Sequence, residues 1–154
     1  MRFQFLSSGD ARRYTTYLAH RYGIPFAVMK DWSWYGHAQS VYVVTHSPFQ
    51  DKGLNVYASG MLAFTDGKTF APTSNFISTL GKHISQNKLE LSEDLAPSFF
   101  ARHKLSREGL DEKHIRSHGY VAILLHGQVV ASALLTQTHL IPNLPSPEHG
   151  SQEG

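Results

Sequence analysis

Ten histidines are the residues of this 154-residue chain best suited to metal or acid–base chemistry. Only His114 and His118 have the i, i+4 spacing that places two metal ligands on one face of a helix. Their segment, residues 106–118, is polar with charges of alternating sign and is typical of a loop. We therefore expect no metal site and no cofactor.

Residues for covalent catalysis are missing from the sequence. The chain has no cysteine, so it has neither a thiol nucleophile nor a thiolate metal ligand. The patterns GxGxxG, Walker A, HExxH and GxSxG do not occur in it. The sequence therefore predicts no catalytic residues, and we expect a protein that is not an enzyme.

Cations in turns and on helix faces could contact phosphate groups. Lys68 follows the Asp66–Gly67 turn, where its amine could reach a phosphate as a point charge. Five further candidates of this kind are Arg102, Lys104 and Arg107, grouped around His103, and Arg12 and Arg13 on the first predicted helix. For each of these cations the alternative is an ordinary solvated side chain.

Trp32 and Trp34 are the candidates for stacking on flat ligands. Their i, i+2 spacing places both rings on one face of a strand. Such a pair could stack on nucleic-acid bases, a contact worth ~1–3 kcal/mol per base. The alternative interpretation is that both rings belong to the hydrophobic core.

The composition indicates a folded globular chain of about one domain, with 41% hydrophobic and 17% charged residues. The net charge of +2 conceals an asymmetry, because residues 1–77 carry +3 and residues 78–154 carry −1. Fifteen of the eighteen aromatic residues also lie in the first half. An aromatic-rich, mildly basic half is typical of a nucleic-acid surface and equally of a well-packed β core.

The first half must position most of these candidates. The pattern predicts a helix over 8–22, with Ser8 as its possible N-cap and Gly23 as its end. Strands are predicted over 26–34, 41–44 and 54–64. The turn at residues 66–67 then leads to a short strand at 69–70.

The second half begins with helical patterns over 73–87 and after Ser92, where Pro97 begins a second helix. Two apolar runs over 119–136 flank His126–Gly127 and predict a hairpin. This order of elements favours an α+β fold with mostly antiparallel pairing, in which a small mixed β pseudobarrel carries an N-terminal helix and helices packed at the barrel ends.

Several short motifs resemble one family in their order along the chain. The segment from Gly60 to Phe76 contains the turn Gly67–Lys68 followed by Phe70, Pro72 and Thr73, which enters a helix. The segment around residues 100–102, Gly119–Tyr120 and Gly127 follow in the expected order. Together, over about residues 55–145, they resemble the PUA-like domain at the C-terminus of Sun-type RNA cytosine-5 methyltransferases. The family's final Lys–Asn segment is kept here only as Asn143, before Pro145.

This resemblance implies an RNA-binding pseudobarrel without its methyltransferase domain. The family's chemistry uses a cysteine nucleophile, which this chain lacks. The expected organisation is a helix with aromatic strands over 1–53, integral to the same fold, a PUA-like core over 54–145, and a disordered tail over 146–154.

The sequence therefore predicts a non-catalytic RNA-binding module acting in rRNA or tRNA modification or in ribosome maturation. The expected partners are structured RNA and a separate RNA-modifying enzyme. The alternatives are a protein-interaction or assembly factor on the same fold, or a small-ligand-binding domain using His46, Asp66 and Thr73. No apolar run is long enough to span a membrane and the N-terminus has no signal-peptide pattern, so we expect a cytoplasmic protein.

Overall fold

A computed structural model describes residues 4–44, 60–66 and 69–145. It has an α+β fold and divides into two compact units at the Pro72–Thr73 junction. Each unit contains its own β-sheet with short helices. The tail over 146–154 lies outside the described residues, and the domain boundary after residue 53 stays a prediction.

The first unit is a four-stranded antiparallel sheet with two helices, counted over its described residues. Its strands, adjacent in chain order, are β1 Gln4–Phe5, β2 Ser33–His37, β3 Ser40–Val44 and β4 Met61–Phe64. The helices are α1 Ser8–Tyr22 and α2 Phe26–Met29.

Helix α1 has the bounds that the sequence predicts, but its N-cap is Ser7 rather than Ser8. The Ser7 hydroxyl accepts a hydrogen bond from the Asp10 amide at 3.1 Å. The helix ends at Gly23, whose φ of 74° suits glycine. Its buried face carries Tyr14 and Leu18, which pack in the core of the first unit.

The predicted strand over 26–34 is wrong, because this stretch folds as helix α2 followed by a turn and the start of β2. A four-residue apolar run has no periodicity that distinguishes a helix from a strand, and Pro25 occupies the N-cap position. The strand predicted at 69–70 is also wrong. Thr69 and Phe70 form a turn, after which Pro72 makes an isolated bridge to Phe64.

The second unit is a five-stranded sheet, counted over its described residues. Its strands are β5 Lys88–Glu90, β6 Leu105–Ser106, β7 Gly119–Leu125, β8 Gln128–Leu135 and β9 His139–Asn143. They lie in the order β5-β7-β8-β9-β6, and only the β5–β7 pair is parallel among the described pairs. The helices are α3 Ser74–Thr79, a 3₁₀ turn Gly81–His83, and α4 Ala96–Phe100.

The hairpin β7–β8 confirms the prediction for 119–136. His126 and Gly127, with φ of 54° and 78°, form its two-residue turn. The buried side chains of both strands join a hydrophobic core with Phe99 of α4 and Leu140 of β9.

The single helix predicted over 73–87 is wrong beyond Thr79. The chain first tightens into the 3₁₀ turn at Gly81, where an added Cβ would lie 2.9 Å from the Cβ of Val129. Asn87 then takes a positive φ of 52° and leads into β5. Its side-chain oxygen accepts hydrogen bonds from the amides of Arg116 and Ser117, at 2.8 and 3.3 Å.

Ser74 joins α3 to the sheet of the second unit. Its hydroxyl donates to the carbonyl of Asn143 at 2.8 Å and accepts from the amide of Ser132 at 2.9 Å. Thr73 caps the same helix by accepting from the Phe76 amide at 3.1 Å. In the part of the chain that the structure describes, no helix has both the length and the apolar character needed to cross a membrane.

Candidate functional site

An open cleft of about 740 Å³ lies in the first unit, lined by residues of α1, α2, β2 and the end of β1. We call it the α1–α2 cleft. It brings together three residues that the sequence singled out separately, namely Arg12, Trp32 and Trp34. It adds three that the sequence analysis missed: Phe5, Phe26 and Lys30.

The walls of the α1–α2 cleft are rich in exposed aromatic rings. Phe5 and Phe26 are 59% and 55% exposed, the two most exposed large hydrophobic side chains in the described residues. Trp32 is half-buried, and its ring centre lies 6.0 Å from that of Trp34. Exposed rings gathered in one concave place mark a binding site more often than an inert surface.

Trp34 has a different environment from Trp32. It is 4% exposed, and its ring stacks on Tyr14 at 5.6 Å and lies 6.2 Å from Phe64. Burial raises the pKa of the Tyr14 phenol, although Arg13 opposes this effect. The faces of Trp34 are thus covered by side chains of its own unit, and Trp32 is the tryptophan whose ring is open to a ligand.

Two cations line the α1–α2 cleft, Arg12 from α1 and Lys30 from the end of α2. Both are exposed, and neither side chain has a hydrogen bond or ion pair with any described residue. No described acidic residue lines the cleft. The cleft is therefore a local positive site on a nearly neutral chain.

Hydroxyl groups lie between these rings and cations. Ser8, Thr15 and Thr16 line the α1–α2 cleft from α1, and Ser33 lines it from β2. Thr15 donates its proton to the carbonyl of Arg12 at 3.2 Å. These groups can donate or accept hydrogen bonds to a polar ligand without adding charge.

Arg13 does not line the α1–α2 cleft. Its guanidinium lies 5.7 Å from the ring centre of Tyr14 and 5.6 Å from that of Phe70. These distances suit cation–π contacts. The structure therefore separates Arg13 from its sequence neighbour Arg12.

Two arginines of the basic cluster in the second unit already have hydrogen-bond partners. Arg102 donates to the carbonyl of Leu144 at 3.2 Å and to that of Pro145. Arg107 donates from Nε and Nη2 to both carboxylate oxygens of Glu112, at 2.6 and 2.8 Å.

Lys104 is the exposed cation of this cluster without a hydrogen bond or ion pair to a described residue. Lys68, the leading candidate of the sequence analysis, lies outside the described residues, as do Gly67 and His46. The described residues contain no group of three His, Asp or Glu side chains placed to hold a metal ion.

No protein-family model matches this chain, and no curated protein sequence matches it. A solved structure of a conserved PUA domain protein from Thermoplasma acidophilum is similar to it, with a TM-score of 0.63 and 16% sequence identity. The match covers 96% of this chain and 97% of that chain. At this identity the likeness shows the fold, and it confirms the predicted PUA-like α+β fold. The closer resemblance to the Sun-type domain stays a prediction.

Proposed function

We propose that this chain is a non-catalytic RNA-binding module that contacts RNA phosphates with the cations of the α1–α2 cleft. One observation carries the proposal: Arg12 and Lys30 line the same cleft without a described partner of opposite charge. An unpaired, exposed cation is free to neutralise a phosphate, and such contacts supply much of the affinity of proteins for nucleic acids.

The PUA-like fold and the predicted family resemblance support RNA as the polyanion. In this proposal the RNA is a structured rRNA or tRNA in the cytoplasm, and a separate enzyme supplies the modification chemistry. Lys68 and Lys104 are proposed as additional phosphate contacts. Arg102 and Arg107 are less suitable for this role, because their guanidinium groups already serve carbonyl and carboxylate oxygens.

The proposal is tested by fluorescence anisotropy with a labelled RNA hairpin at ~50 mM salt. The variant Arg12→Glu/Lys30→Glu should bind about tenfold more weakly or worse, because two attractive contacts become repulsive. The matched control is Lys82→Glu/Lys113→Glu, which changes the net charge equally at two exposed positions of the second unit. Absence of binding at this salt, or equal losses in the two variants, would refute the proposal.

Phe5 and Phe26 favour a second candidate function, because exposed phenylalanines are also typical of protein interfaces. A protein-interaction factor would retain a stable, stoichiometric protein partner after nuclease treatment, and Phe26→Ala would release it. A small-ligand binder would instead show a thermal shift with metabolites and no affinity for RNA.

A further inference from the structure

We infer that the α1–α2 cleft holds a single unpaired nucleotide of the RNA, with its base against Trp32 and its phosphates at Arg12 and Lys30. This inference rests on the proposed RNA-binding function and adds to it the form of RNA that is recognised. It predicts that the protein distinguishes an unstacked base from a base within a duplex.

The size of the cleft agrees with a ligand of this class. Its volume of about 740 Å³ lies within the ~300–1,000 Å³ typical of clefts for small molecules and cofactors. A duplex presents its bases edge-on inside grooves, so their flat faces are not available to aromatic side chains. A base that is splayed out of the stack exposes both faces.

The aromatic walls provide flat surfaces that lack partners of their own. Phe26 has no ring contact with any described residue. Phe5 meets Tyr35 edge-on, at an interplanar angle of 66°, so this contact does not cover the face of Phe5 by stacking. Trp32 is tilted by 54° from Trp34 and is half-buried. Stacking of a base on such rings is a main source of affinity for single-stranded nucleic acids.

The charges and hydroxyls identify a nucleotide rather than an apolar peptide. An apolar peptide would cover the rings and leave Arg12 and Lys30 without partners. A nucleotide uses both kinds of group, because its base is flat and its phosphate is anionic. The hydroxyls of Thr16 and Ser33 complete the match, since ribose and base edges need hydrogen-bond partners.

The experiment uses tryptophan fluorescence, because the two tryptophans of the chain both line this cleft. The probes are a six-nucleotide single-stranded RNA, the same strand annealed to its complement, and a version with one base removed. We expect the single strand to quench the emission and to bind about tenfold more tightly than the duplex. Removing the base that enters the cleft should abolish the quenching.

Three variants connect the signal to the cleft. Phe26→Ala should weaken single-strand binding about tenfold, the effect expected for the loss of one stacking partner. Phe100→Ala, at the 43% exposed phenylalanine of the second unit, is the matched control and should change it less than about twofold. Trp32→Phe keeps a ring for stacking, so it should retain binding by anisotropy and lose most of the quenching. Circular dichroism of each variant checks that it is folded.

The outcomes separate this inference from the function on which it rests. Equal affinity for single strand and duplex, or equal losses in Phe26→Ala and Phe100→Ala, overturns the nucleotide site and leaves an RNA-binding module intact. Failure of every RNA probe, including the hairpin used above, overturns both. An emission change that follows protein concentration without RNA would indicate a second copy of the chain in the cleft and overturns the inference.

Discussion

The arginines of this chain differ in whether their guanidinium groups are already hydrogen-bonded. Arg107 binds both oxygens of Glu112 and also donates to the carbonyl of Thr136 at 3.0 Å. It therefore joins its own loop to the turn that follows β8. Arg12 has no such partner among the described residues. The first arrangement indicates a structural role and the second leaves the side chain available for a ligand.

Replacing Arg107 by glutamine should lower the free energy of unfolding by about 1 kcal/mol at pH 7, the usual scale for a bidentate, partly exposed ion pair. The hydrogen bonds from Arg107 hold the pKa of the Glu112 carboxyl below its usual value. A carboxyl with a lowered pKa in the folded state stabilises the protein above its unfolded pKa. This stability is lost as the pH falls through the folded pKa.

The difference between the wild type and Arg107→Gln should therefore shrink as the pH falls below the ordinary glutamate pKa of about 4.3. Urea denaturation at pH 7 and at about pH 3 measures it. Lys113→Gln is the control, because Lys113 is exposed and lies 3.9 Å from Asp111. An undiminished difference at low pH would show that the ion pair is not its cause.

Ser74→Ala should destabilise the protein by about 2 kcal/mol, because two polar backbone groups in its neighbourhood lose their partner. Ser74 is 6% exposed, and its hydroxyl serves the carbonyl of Asn143 and the amide of Ser132. Thermal denaturation measures the effect. Ser78→Ala is the control, since the Ser78 hydroxyl only donates to a carbonyl of its own helix. Equal effects of the two substitutions would contradict the proposed bridge.

At the scale of elements, the turn of the β7–β8 hairpin depends on backbone conformation alone. Gly127 has a φ of 78°, and a Cβ added there would meet no atom within 4 Å. Gly127→Ala should therefore cost about 1 kcal/mol through strain, without any steric clash. His126→Asn should be neutral or slightly stabilising, because asparagine tolerates this conformation and Asn-Gly favours this type of turn. Denaturation midpoints that move by the same amount for both variants would contradict this account.

The elements that the sequence predicts correctly are those with strong local signals. Helix α1 has an apolar face, a capping serine and a terminal glycine, and the β7–β8 hairpin has two long apolar runs around a two-residue turn. Strands β5 and β9 were missed. β5 has three residues and is held by parallel pairing with β7, and β9 contains Pro142. Tertiary pairing fixes both strands, and a local pattern does not contain it.

At the scale of the whole molecule, the net charge of +2 makes general attraction to nucleic acid weak. Affinity must then depend on a few placed cations. Replacing both Arg12 and Lys30 by glutamine should reduce the slope of log K against log salt by about 1.4, at ~0.7 for each phosphate contact with a single strand. A salt titration of binding measures this slope. The control Lys82→Gln/Lys113→Gln should leave it unchanged, and a shared reduction would indicate diffuse attraction instead.

The candidate site could be predicted only in part, because it is assembled from separate segments of the first unit. Arg12, Trp32 and Trp34 were selected for their chemistry, but nothing in the local patterns indicated that they share a cleft. Phe26 and Lys30 were missed because the segment after Pro25 was taken for a strand. Recognising a short helix there would have placed Lys30 at its end, two residues before Trp32.

The order of strands in the second unit has a consequence for how this unit folds. The three inner strands, β7, β8 and β9, follow one another along the chain, whereas β5 and β6 pair with strands about 30 residues away. Local pairs form early, and distant pairs wait for the closure of long loops. The sheet is thus completed from its centre outwards, and its described edges are the first to open. The early folding intermediate is a three-stranded meander that still lacks Leu89 and Leu105 in its core.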